Sequence, residues 1–221
     1  ALARPDAPRP YYREFLIYRE GLAAVALKTA DAEATRARLQ AAGLRPTDVV
    51  RFGRPVAMPG GSREARFATT DAPLEATPGG RLFFCQHFTP ELVWLPEYLP
   101  HPNGAEAVLS VDILAADPAA AAAAYAKVLG IAAVPAADGL LLSMPGGTIR
   151  LMSPAAFKAR HAEDPLADLS PPAMVAIRLR VADRDHVANL LRQTGVQFRV
   201  LADGAIALAS TDAVGTVLEL G

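Results

Sequence analysis

The feature that most limits what this chain can fold into is a plan repeated three times. It runs through AAVALKTADAEATRARLQAAGL (Ala23 to Leu44), VLSVDILAADPAAAAAAYAKVLGI (Val108 to Ile131) and VAIRLRVADRDHVANLLRQTGV (Val175 to Val196). Each copy opens on an alternating apolar stretch that reads as a strand. Each then reaches Ala-Asp, at Asp31, Asp117 and Asp183, where a carboxylate can accept from the free N–H groups of a starting helix. The helices stop at Gly43, Gly130 and Gly195, suited to the left-handed position past a helix end.

Beyond each helix, turn chemistry divides the chain into further strands. The turns are Pro59-Gly60-Gly61 and Pro78-Gly79-Gly80 in the first unit, and Asp138-Gly139 and Pro145-Gly146-Gly147 in the second. In the third they are Asp203-Gly204 and the Asp212 to Gly215 turn. Each unit therefore reads β-α-β-β-β, an α+β fold. None of the glycine-rich turns follows a strand and opens a helix, so a phosphate-binding loop is disfavoured.

The expected divisions are a lead-in over 1–19, a first module over 20–89 and a linking strap over 90–104. Paired modules come next over 105–221 (105–152 and 173–221), separated by an insertion over 153–172. In the strap, Trp94, Pro96 and Tyr98 are expected to pack, Thr89 and Pro90 to start a turn or helix, and His101-Pro102-Asn103-Gly104 to turn the chain.

Composition closes off several classes. A formal net charge of −1 leaves no broad electrostatic footprint for nucleic acid or an anionic membrane. The single cysteine, Cys85, excludes an internal disulfide framework and points to a reducing, cytoplasmic setting. Cys85 lies among bulky apolar residues and reads as inert. No apolar run approaches the roughly 20 residues of a membrane span.

Tandem βαβββ modules joined by FFCQHFTPELVWLPEYLPHPNGA resemble the vicinal oxygen chelate superfamily of glyoxalase I, bleomycin-resistance proteins and extradiol dioxygenases, in its glyoxalase-like branch. The resemblance implies that two modules pair into a cupped eight-stranded sheet, helices outside and ligand inside. Three modules are an odd number. The chain starts without Met, so the expectation is a missing N-terminal module, with PRPYYREFLIYREG as the helix leading out of it. The alternative is a homodimer in which the first unit pairs across the interface.

The resemblance also implies a divalent metal held by His or Glu on the first and last strands. The first-strand positions here are Ala24, Ser110 and Ala176; the last-strand positions are Phe84 or Gln86, Arg150 and Glu219. Only Glu219 fits, and one carboxylate does not make a metal site. No metal or other cofactor is therefore expected; if a metal is present, Glu219, His87 and Gln86 are its candidates. His161 and His186 read as solvated surface.

Period two instead gathers Ser110, Asp112, Arg150, Arg178, Arg180 and Glu219 on one face. They read as ion pairs filling a disused cavity, as outward-facing charges if the register slips by one residue, or as substrate-binding groups, with guanidinium forks gripping a carboxylate or phosphate. No catalytic residue is identified. The function expected is metal-free binding of a small, anionic organic metabolite. The alternative is a metal-dependent lyase, isomerase or dioxygenase with a relocated or truncated site, to which Gln86 or His87 would contribute; in the strap, His87 or His101 reads either as packing and turn chemistry or as an acid/base group.

Overall fold

A computed structural model describes residues 10–221; residues 1–9 of the lead-in lie outside the described residues. The chain forms two compact units. Among the described residues the first comprises residues 10–18, 23–77 and 81–99, the second residues 19–22, 78–80 and 100–221.

The first unit opens with helix α1 (Pro10–Tyr18) and then keeps to the expected plan: β1 (Ala24–Lys28), α2 (Ala32–Ala41), β2 (Val50–Met58), β3 (Gly61–Asp71) and β4 (Arg81–His87). The sheet order is β1-β4-β3-β2, with β1 parallel to β4 and the other pairs antiparallel. Asp31 caps α2 by accepting from Ala34 N–H, and Gly43 past its end takes φ 71°.

After β4 the strap makes two short 3-10 turns, Pro90–Leu92 and Pro96–Tyr98. Its aliphatic residues pack more deeply than its aromatics, of which Trp94 lies beside the His87 ring. Leu92 is buried against Val56, Ala65 and Phe67, with Val93 and Leu95 beside it, while Trp94 and Tyr98 are 55% and 75% exposed. Thr89 makes no side-chain cap; its hydroxyl accepts from Arg66 N–H at 2.9 Å.

The second unit holds the paired modules. One is β5 (Ala105–Leu114), α3 (Pro118–Leu129), β6 (Val134–Ala136), β7 (Gly139–Met144) and β8 (Gly147–Met152). The other is β9 (Ala173–Val181), α5 (Arg184–Thr194), β10 (Arg199–Val200), β11 (Ile206–Leu208) and β12 (Val217–Leu220). They form one eight-stranded sheet of order β10-β11-β12-β9-β5-β8-β7-β6. The first strands β5 and β9 pair antiparallel at its centre, and each runs parallel to its own module's last strand.

Asp117 caps α3 and Asp183 caps α5, each through two backbone N–H groups, and Gly130 and Gly195 end these helices at φ 72° and 75°. Between β8 and β9 the insertion forms helix α4 (Pro154–Arg160), capped by Ser153, and a 3-10 turn over Pro165–Asp168. No helix among the described residues is long and apolar enough to cross a membrane.

Candidate functional site

In the paired modules the period of two puts Ser110 and Asp112 of β5 on one face and the buried Val111 and Ile113 on the other. Register fixes their neighbours. Asp112 stands beside Arg150 of β8, Ser110 beside Arg178 of β9, and Arg178 beside Glu219 of β12. The two arginines thus flank β5 from either side on the face bearing Asp112 and Glu219.

The insertion lies across this face. Phe157, fully buried, clusters with Leu114, Met152, Ala176 and Val217, and Leu166 and Leu169 pack beside it. Backbone bonds tie Phe157 to Ser153 and His161 to Phe157, so Phe157, Arg160 and His161 have the i, i+3, i+4 spacing of one helix side. Arg160 grips Glu219 side-on, Nε to Oε1 at 2.7 Å and Nη2 to Oε2 at 2.8 Å. Its Nη2 also donates to Asp203 at 3.0 Å. His161 Nε2 lies 3.1 Å from Glu219 Oε1, and both residues are 0% exposed.

The expectation that His161 is solvated surface is therefore corrected. The apolar anchor Phe157, one turn earlier, carries it under the insertion. To donate to Glu219, the ring must hold its proton on Nε2. His186 is exposed.

Arg178 Nη1 donates to Asp203 at 2.8 Å and lies 3.7 Å from Glu219. Arg150 Nη1 pairs with Asp138, and its Nε lies 3.3 Å from Asp112. Ser110 Oγ donates to Asp112 at 3.2 Å. Five of the six expected residues thus lie on one face in two ion-pair clusters, Ser110, Asp112 and Arg150 in one and Arg178 and Glu219 in the other. Arg180 does not: its half-exposed side chain pairs with Glu106, because β9 has reached solvent at that point. Sequence reasoning missed Arg160, His161, Asp138 and Asp203, all from turns or the insertion.

Burial dominates Asp112 and, against the pull of Arg150, pushes its carboxyl up to about 6, with Glu219 adding to the rise. Glu219 goes the other way. Burial favours its neutral form, but hydrogen bonds from Arg160 and His161 prevail and bring it down to about 2. Burial likewise opposes ionisation of Asp203, yet its bonds to Arg160 and Arg178 hold it well below the usual carboxylate range. Two donors are left over: the Nε–H groups of Arg150 and Arg178 are buried and without a hydrogen-bond partner.

The divalent metal that the fold implies does not fit this face. Ser110 and Ala176 occupy the first-strand positions, Arg150 one last-strand position, and both oxygens of Glu219 are engaged by Arg160 and His161. Among the described residues, no three His, Cys, Asp or Glu side chains gather as a metal would require.

In the first unit, Phe84 and Gln86 prove to face the helix. Arg38 of α2 lies over the Phe84 ring, and Gln86 Oε1 accepts from Ala32 N–H at the start of α2. That removes Gln86 from any ligand set with His87, since strand alternation turns Cys85 and His87 to the opposite face. There His87 packs edge-on against Phe67. Its Nδ1 is buried without a partner, and burial, aided by Lys28, depresses its pKa. Burial raises that of the Cys85 thiol, consistent with an inert side chain. His101 is exposed and its carbonyl accepts from Gly104 N–H in the expected turn.

The fold of tandem βαβββ modules, two of them joined through their first strands, defines the class, and sequence comparison supplies the family. The chain belongs to the glyoxalase-like domain family, whose model matches residues 1–129. No curated protein matches the sequence. Among solved structures, a hypothetical protein from Staphylococcus aureus shares the fold over 94% of this chain and 69% of its own, at 12% identity and a TM-score of 0.63. A methylmalonyl-CoA epimerase from Mycobacterium tuberculosis matches 57% of this chain and 93% of its own, at 24% identity and a TM-score of 0.43. A second methylmalonyl-CoA epimerase matches 52% and 94%, at 17% and 0.39.

Proposed function

We propose that the paired modules bind a small organic acid without a metal, on the inner sheet face beside β5. One observation carries this reading: two guanidinium groups flanking one strand each keep a buried Nε–H without an acceptor. A buried donor left unmade costs on the order of 1–3 kcal/mol, which a ligand carboxylate or carbonyl oxygen would relieve. Selectivity follows from the protein's own charges. Arg150 pairs with Asp112 and Asp138, and Arg160 and Arg178 pair with Asp203 and Glu219, so neither cluster holds surplus positive charge. Ligand binding then depends on hydrogen-bond geometry rather than on net attraction, and a planar carboxylate offers guanidinium N–H groups two oxygens in one plane.

Thermal unfolding with succinate and with inorganic phosphate tests the reading. Succinate is expected to raise the Tm of the wild-type chain by several degrees at saturation and to leave Arg178→Ala unchanged. Equal shifts in both proteins, or none in either, would overturn it. Elemental analysis of protein purified without chelator is the companion measurement. Stoichiometric Fe, Mn, Ni or Zn would sink the metal-free reading and favour the metal-dependent alternative, with His87 as the residue to examine.

A further inference from the structure

We propose that Glu219 and Asp203 form a guanidinium site and that Arg160, carried by the 153–172 insertion, is its tethered occupant. Each carboxylate has a holder besides Arg160. Glu219 is fully buried on β12 with Oε1 held by His161. Asp203, in the turn between β10 and β11, is held by Arg178 at 2.8 Å and by Ala205 N–H at 3.2 Å. The two carboxylates thus stand oriented by groups other than the one they bind.

Arg160 fills this arrangement as a planar fork does. Two parallel N–H bonds meet the two oxygens of Glu219, and the shared Nη2 turns its second hydrogen to Asp203. An ammonium is a point donor and cannot present parallel N–H groups to both oxygens. The insertion supplies the tether. Phe157 seats α4 on Leu114, Met152, Ala176 and Val217. Further along, Asp164 accepts from the backbone N–H and hydroxyl of Ser210, both at 2.8 Å. Arg160 is thereby held at high effective concentration over its site. The same occupancy explains why the one carboxylate suited to a metal is closed to it: a cation would have to displace a tethered guanidinium from both oxygens. The inference does not depend on the organic-acid reading, which concerns the Nε–H groups of Arg150 and Arg178.

Removing the occupant while leaving the site tests this. The full chain, its Arg160→Ala variant and Arg160→Gln would be melted with methylguanidinium or methylammonium at low millimolar concentration. Arg160→Ala is expected to melt lower than wild type and to recover at least half of the lost Tm, saturably, with methylguanidinium. Methylammonium is expected to restore none, and wild type to respond to neither. Equal responses in variant and wild type, recovery by both cations, or no recovery would overturn the proposal. Should Arg160→Ala not fold, Arg160→Gln keeps part of the stem and is read the same way. If neither variant folds, folding restored by methylguanidinium supports the site, and its failure in both overturns it.

Discussion

Asp112 Oδ1 lies 3.3 Å from Arg150 Nε, close enough for an ion pair yet outside hydrogen-bond geometry. The pair is therefore weaker than the distance alone suggests, and burial prevails, bringing Asp112 up to about 6 from an ordinary 3.8. The folded state then holds a proton that the unfolded state releases. Asp112's contribution to stability accordingly falls as pH rises from about 4 to about 6 and stays low above that, by up to about 3 kcal/mol. Asp112→Asn is expected to flatten this slope and to gain most, relative to wild type, at neutral pH. Urea unfolding at a series of pH values checks it; a variant with the wild-type slope would refute the assignment.

Glu219 has the opposite sign. Its carboxyl is brought down to about 2 from an ordinary 4.5, so its contribution is complete above about pH 4.5 and is lost as pH falls towards 2. Glu219→Ala would leave Arg160 and His161 without their shared acceptor in a buried place. Removing one partner of a buried pair costs about 3–5 kcal/mol. The urea midpoint is expected to fall accordingly, and Glu219→Gln to lie between the two.

Much of this architecture is legible in the sequence because it is written in local chemistry. An aspartate that accepts from the first free N–H groups and a glycine that turns left-handed at the other end mark a helix wherever it sits, and period two then assigns strand faces. That reasoning reaches Ser110, Asp112, Arg150, Arg178 and Glu219. It fails where the partner arrives from a distance in sequence. Arg160 and His161 meet Glu219 only because Phe157 pins α4 to the sheet, and Asp138 and Asp203 come from turns. The Ser153-Pro154 start, with Phe157, Arg160 and His161 at helical spacing beyond it, is the available signal for a short helix with one side turned to the sheet. Gln86 escapes for a different reason: counting along the last strand gives it a place in the cup, whereas its amide caps α2.

The three helix caps give a local test. Asp117 and Asp183 each satisfy two backbone N–H groups and Asp31 satisfies one. Replacing any of them with Ala is expected to cost about 1 kcal/mol. For units of about 100 residues that lowers Tm by about 4–8 °C. A drop far beyond this in scanning calorimetry would mean that the carboxylate does more than cap.

Arg81 provides the corresponding test in the first unit. Its guanidinium binds Asp71 through two bonds of 2.6 and 2.7 Å, donates to Tyr12 Oη at 2.8 Å, and lies 4.1 Å above the centre of the Phe83 ring. With the Arg81 side chain 8% exposed and that of Asp71 17% exposed, the pair is shielded from water, and its loss leaves a carboxylate with little solvent to replace the fork. Arg81→Ala is expected to destabilise the first unit by about 3 kcal/mol. Arg81→Lys, which restores charge without the parallel donors or the flat stacking surface, should recover less than half. Hydrogen exchange resolves where the loss falls: protection should drop across β3 and β4, which carry the two partners, while the centre of the eight-stranded sheet, β5 and β9, keeps its own. An equal loss of protection in both sheets would mean that the two units unfold as one and that Arg81 secures more than its own module.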